Sequence, residues 1–113
     1  MPGQSGVRMT FQTQLVLRAL LEHPTRELYG LEICDAAGLP SGTIHPILAR
    51  LEGLGWLTSR WEEIEPRSAG RPRRRYYQLS SNGAELARNA LINANVPITG
   101  LPGIRPAFGE GGA

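Results

Sequence analysis

Apolar residues between Phe11 and Leu21 fall at Phe11, Leu15, Val16, Leu17, Ala19, Leu20 and Leu21. The spacing is helical, but the band is wider than a single amphipathic stripe. One side of such a helix can face a domain core. The remainder would be wet in a monomer and is a first hint of a dimer. Thr10 is a good N-cap, and Pro24 stops the helix at about His23. A second, short helix fits Gly30 to Ala37, with Gly38 as a left-handed cap ahead of Leu39-Pro40. Ser41 is the expected N-cap of a third helix, Gly42 to Leu54, ended by Gly55. Ile44, Ile47, Leu48, Leu51 and Leu54 recur at helical spacing and form one buried face. The opposite face carries Gly42, His45, Pro46, Ala49, Arg50 and Gly53, with Thr43 at its margin. Those side chains are small or polar and suit close approach to a surface. Pro46 lies near the helix N-terminus and would crowd the carbonyl of Gly42, so it bends or tightens the first turn rather than ending the helix.

The period then changes from helical to two. Trp56 to Ile64 reads as a strand with Leu57, Ser59 and Trp61 on one face. Glu65 to Pro72 is turn material. A second strand runs from about Arg73 to Leu79, with Tyr77 and Leu79 inward and Tyr76 outward. Together these make a β-hairpin with a long basic tip. Ser80, Ser81 or Asn82 caps a last helix to about Asn93, Asn82 and Glu85 having capping-box spacing. Leu86, Ala90 and Leu91 are its expected buried stripe. From Val96 onward the chain is rich in Pro and Gly and has no periodicity. The reading is therefore a mainly α fold with a small β-hairpin. It divides into a flexible arm (1–9), a winged helix-turn-helix domain (10–80), a C-terminal dimerisation helix (81–95) and a flexible tail (96–113).

Charge sharpens this picture. The 113-residue chain carries a formal net charge of only +2, yet its pI is about 9.2. All 12 Lys and Arg residues are Arg. Five of them lie between Arg67 and Arg75, and no acidic residue falls between Glu65 and Glu85. A concentrated positive field points to an anionic polymer or surface as partner. Cys34 stands alone, which excludes an intramolecular disulfide and a cysteine metal cluster; it reads as a small core residue. No signal-peptide core precedes the first helix, and no apolar run reaches the roughly 20 residues of a membrane span. A cytoplasmic protein is expected.

Two helices joined by a tight turn and followed by a hairpin make a winged helix. In this arrangement the third helix lies in the DNA major groove and the hairpin tip reaches the flanking backbone or minor groove. The candidate base-reading side chains are Thr43, His45 and Arg50, with Pro46 and Ala49 allowing close approach. Arg67, Arg71, Arg73, Arg74 and Arg75 are the candidate phosphate contacts, because the guanidinium fork matches phosphate oxygens. Arg71 at the tip suits a narrow minor groove. Tyr76 can hydrogen-bond a phosphate. Tyr29 is either a phosphate contact at the start of the second helix or a half-buried aromatic. Ser41 adds a phosphate contact through the helix N-terminus it caps.

The segments "LYGLEI" (28–33), "SGTIHPILARLEGLGWL" (41–57) and "GRPRRRYYQLSSNG" (70–83) resemble the PadR family of bacterial transcriptional regulators. The resemblance covers roughly residues 10 to 92. It implies a repressor that binds an inverted repeat as a homodimer, built by the first and last helices. Phe11, Leu15, Leu86, Ala90 and Leu91 are the interface candidates. It also implies, for some short members, a small aromatic or cationic effector held in an apolar pocket at the dimer interface. Two departures stand out. The last helix is expected to be short, ending before Val96-Pro97. His45 stands where the family often has Tyr.

The main alternative is a protein-docking winged helix, whose contact surface would be the apolar side of the first helix and the tail. Five Arg in the wing weigh against it. Glu62, Glu63 and Glu65 are expected to pair with the wing arginines rather than to form a metal or acid-base cluster. His23 beside Pro24 needs no role beyond the helix dipole. No metal-ligand set and no catalytic constellation stands out, so no enzyme and no cofactor is expected.

Overall fold

The computed structural model describes the backbone of residues 8–99 and the side chains of residues 8–94. Its elements are α1 (Phe11–Leu21), β1 (Leu28–Tyr29), α2 (Gly30–Ala37), α3 (Ser41–Gly53), β2 (Leu57–Trp61), α4 (Pro66–Ala69), β3 (Arg75–Leu79) and α5 (Gly83–Thr99). The sheet is antiparallel with strand order β1-β3-β2. The protein is a winged helix-turn-helix with an added C-terminal helix.

Thr10 caps α1 by accepting the Thr13 amide at 3.1 Å. The inner side of α1 places Val16, Leu17, Ala19 and Leu20 in the core. Ile33 of α2 and Ile44, Leu48 and Leu51 of α3 complete its helical part, all fully buried. Leu57, Tyr77 and Leu79 close the core from the sheet. Gly38 ends α2 with φ 72°, a conformation that favours glycine. The expected N-cap of α3 shifts by one residue. Pro40 is the cap, and its carbonyl accepts the Thr43 and Ile44 amides at 3.0 and 3.1 Å. Ser41 is therefore the first helical residue, and its side chain is exposed rather than capping. The helix continues through Pro46 to Gly53 without a break.

The hairpin departs from expectation in three places. A two-residue strand, β1, joins it through the pairs Leu28↔Tyr77 and Tyr29↔Tyr76. The predicted turn after Glu65 contains the short helix α4, capped by the Glu65 carboxylate and closed by Gly70 at φ 75°. The alternation of Leu57, Ser59 and Trp61 holds, but the core ends beneath Ser59 and Trp61 is 56% exposed.

The last helix also differs from expectation. It runs 17 residues, through Pro97 to Thr99. Gly83 starts it hard against the hairpin: a Cβ there would sit 2.1 Å from the Trp56 carbonyl oxygen. The buried position one turn on is Ala87. Leu86, expected in the buried stripe, is turned outward, while Ala90 and Leu91 are half-buried. The close seat of Gly83 sets this rotation. The proposed arm lies outside the described residues up to residue 7, and the proposed tail lies outside them from residue 100.

Candidate nucleic-acid interface

Burial of Ile44, Leu48 and Leu51 turns the other side of α3 to solvent. Gly42, His45, Pro46, Ala49, Arg50 and Gly53 are all exposed there, with Thr43 half-buried at the edge. The face extends beyond α3. The His45 ring lies against the start of α2, where a Cβ on Gly30 would come within 3.2 Å of His45 Cε1. That contact makes the face continuous with Tyr29, the residue that opens α2. The Tyr29 amide donates to Glu32 Oε1 at 3.1 Å. Sequence reasoning passed over Gly30; its signal was a glycine where a helix begins.

Tyr29 and Tyr76 are brought together by the β1–β3 pairing. Their rings meet edge to face, with centroids 5.7 Å apart at 74°. Both are half-buried. The Arg74 guanidinium lies 4.1 Å above the Tyr29 ring, and Arg60 lies 5.1 Å from that of Tyr76. Arg60 also forks onto Glu27 at 2.7 and 2.8 Å. Arg71 forks onto Glu62 at the same two distances. Glu62 further accepts the Arg74 amide at 3.1 Å, so one carboxylate ties both arms of the wing. The Arg71 fork holds the Glu62 carboxyl down at about 2; desolvation opposes it, and the Arg74 amide bond adds a lesser lowering effect.

The five wing arginines do not form one patch. Period-two alternation puts Arg75 on the face of Tyr77 and Leu79, opposite to Tyr76. There its Nη2 donates to Ser59 Oγ at 2.8 Å and lies 3.6 Å from Glu52. Its guanidinium is 5.1 Å from the Trp61 ring. Arg73 is exposed and donates through Nε to the Ile64 carbonyl at 3.0 Å. Arg67 is exposed on α4. Among the described residues Arg50, Arg67, Arg73 and Arg74 have no carboxylate at ion-pair distance, whereas Arg71 and Arg75 do. The expected pairing of acids with wing arginines is thus carried by Glu62, while Glu65 serves as the cap of α4.

α1 packs on α5. Phe11 is 70% exposed, Leu86 is 37% exposed and Leu15, Ala90 and Leu91 are half-buried. Ile92 of α5, not singled out from the sequence, is 60% exposed. A cleft of about 380 Å³ opens there between Met9, Trp56, Leu86 and Ala90. Among the described residues no helix is long and apolar enough to cross a membrane.

The profile of the PadR-like family of transcriptional regulators matches residues 16–89, from the middle of α1 into α5. The chain belongs to that family. A comparison with curated proteins gave no match. Among solved structures the chain is similar to reduced AbfR bound to DNA, with 27% identity and a TM-score of 0.57, over 76% of this chain and 56% of that one. It is similar in fold to smu.1704 of Streptococcus mutans UA159, with 24% identity and a TM-score of 0.55, over 84% and 94% of the two chains. A third similar fold is NadR in complex with 4-hydroxyphenylacetate, with 20% identity and a TM-score of 0.52, over 85% and 65%. The chain spans 52% to 59% of the length of the AbfR chains it matches. Within the PadR-like match lie every wing arginine and the whole of α3.

Proposed function

We propose that this PadR-like protein is a homodimeric repressor that reads an inverted repeat with α3 and grips phosphates with its wing. The observation that carries this reading is the exposed face of small and polar residues on α3, continuous with Tyr29 and the Arg74 above it, which among the described residues has no carboxylate at ion-pair distance. Thr43, His45 and Arg50 address base edges, and Pro46 and Ala49 let the helix approach. Arg67, Arg73 and Arg74 supply the salt-sensitive phosphate attraction. Tyr29, Tyr76 and the exposed hydroxyl of Ser41 border the same face and take phosphate oxygens. Arg71 and Arg75 act chiefly by shaping the wing, since each already holds a carboxylate. The DNA-bound state of AbfR, a structure of similar fold, supports the same use here.

The dimer forms through Phe11, Leu15, Leu86, Ala90 and Leu91, the apolar residues that α1 and α5 leave exposed or half-buried. A small aromatic or cationic effector would enter the cleft between Trp56, Leu86 and Ala90 at this junction. NadR, bound to an aromatic acid, lends the idea support. Nuclease footprinting on the DNA upstream of the protein's own coding region tests the repressor reading. Two protected half-sites about one helical turn apart are expected. Uniform weak protection, unchanged by replacing His45 and Thr43 with Ala, would contradict it.

A further inference from the structure

We propose that the start of α1 and the flank of α3 form a phosphate cleft that seats one backbone phosphate of the bound DNA. The inference rests on the DNA-binding reading above and adds Arg8 and Thr13 to its contacts. The cleft measures about 210 Å³ and lies between Arg8, Thr10 and Thr13 on one side and Pro46, Ile47 and Arg50 on the other. It is small beside the roughly 300–1,000 Å³ of sites that hold whole small molecules. A single phosphate group fits it better than a metabolite does.

Its lining offers donors and no carboxylate. Two guanidinium side chains bound it. The first turn of α1, whose amides carry partial positive charge, contains no acidic residue. Thr13, which lines the cleft, is a polar residue only 7% exposed. The Thr10 and Thr13 hydroxyls lie 3.0 Å apart and share one hydrogen bond, and the Thr10 oxygen also accepts the Thr13 amide. Whichever hydroxyl donates, the other has a proton to offer beyond the pair; when Thr13 donates, that proton belongs to the exposed Thr10. Cationic forks, a spare hydroxyl proton and a helix N-terminus together select an anion.

The position identifies the anion. Pro46 and Arg50 belong to the exposed face of α3, so an anion in the cleft sits at the margin of that face. A helix lying in the major groove has the sugar-phosphate backbone at its flanks. Arg8 belongs to the stretch that composition alone reads as a flexible arm. Here it stands across a cleft from the DNA-reading helix.

The test is fluorescence anisotropy with the upstream duplex and a scrambled duplex at several salt concentrations. The variants are Arg8→Ala, Arg8→Lys and Thr13→Val, each checked for an unchanged melting temperature. Arg8→Ala should weaken binding to both duplexes by the same factor and flatten the salt slope by about 1. Arg8→Lys should restore most of the slope, and Thr13→Val should weaken binding without changing it. If wild type binds while Arg8→Ala matches it in affinity and slope, the cleft is not a DNA contact and the DNA-binding reading stands. If wild type binds neither duplex, that reading fails and this inference falls with it. Inorganic phosphate that shifts the amides of residues 10–14 in wild type but not in Arg8→Ala, with duplex binding unchanged by the substitution, would make the cleft a free-anion site and overturn the proposal.

Discussion

Glu62 shows how one carboxylate can shape a basic wing. It takes the Arg71 fork and the Arg74 amide together, which orients two strands and removes one of the arginines from free display. Its carboxyl is held at about 2, below the ordinary carboxylate range. A depressed value means the pairing is fully present above that ordinary range and is lost as pH falls towards 2. A carbon-detected NMR titration of Glu62 should therefore give a midpoint near 2. In Arg71→Ala the midpoint should rise most of the way towards the ordinary range, because the first cause of the shift has gone. A midpoint that Arg71→Ala leaves in place would show that the fork does not form in solution. The acids were expected to pair with the wing arginines, but the partners could not be assigned. Glu62 and Glu63 point to opposite faces of the strand and Glu65 lies in the turn, and which of them meets an arginine depends on where the pairing ends.

At the scale of elements, helices were more legible than strands. The spacing of Ile44, Leu48 and Leu51 is unambiguous over about two turns, and it locates the exposed face of α3 as well as the buried one. β1 was illegible because two residues cannot display an alternation; it exists only because Tyr77 and Tyr76 offer partners. Alternation put Trp61 on the face of Leu57, and the same period puts Arg75 with Tyr77, but the sequence does not say where the core beneath them ends. That boundary separates Arg75 from the other wing arginines. Replacing Arg73 and Arg74 together with Ala should weaken binding to every duplex and reduce the salt slope by about 2. Arg75→Ala should leave the slope unchanged and lower stability modestly, since its ties are to Ser59, Glu52 and Trp61. Equal slopes in the two variants would mean that the faces are not distinguished by DNA. For α5, Gly83→Ala must displace the Trp56 carbonyl and should cost about 1–3 kcal/mol, read as a lowered melting temperature. Gly42→Ala, which meets nothing within 4 Å, should not.

Across the whole molecule two surfaces stand out: α3 with the wing and the first turn of α1, and the apolar sides of α1 and α5. The second is apolar and incompletely covered, with Phe11 70% exposed and Leu86 37% exposed. A chain of this length buries a modest core, and a partner copy would cover what remains. The family resemblance carried the dimer expectation further than the pattern did. The pattern alone ended α5 near Asn93, since a Pro and Gly composition reads as a stop, whereas the helix passes through Pro97. Phe11→Glu combined with Leu86→Glu should convert a dimer into a folded monomer in sedimentation experiments and weaken operator binding far more than binding to a single half-site. A double variant that stays dimeric would place the interface elsewhere.

The central claim is that α3 reads a particular sequence while the wing supplies attraction to any DNA. It is tested most directly by titrating the protein onto the duplex upstream of its own coding region and onto a scrambled duplex of equal length, at several salt concentrations. The account predicts tighter binding to the upstream duplex, a preference that His45→Ala and Thr43→Ala reduce by about 1–3 kcal/mol at individual positions, and an affinity for both duplexes that falls steeply with salt. Equal affinity for the two duplexes, indifferent to changes on α3, would contradict it.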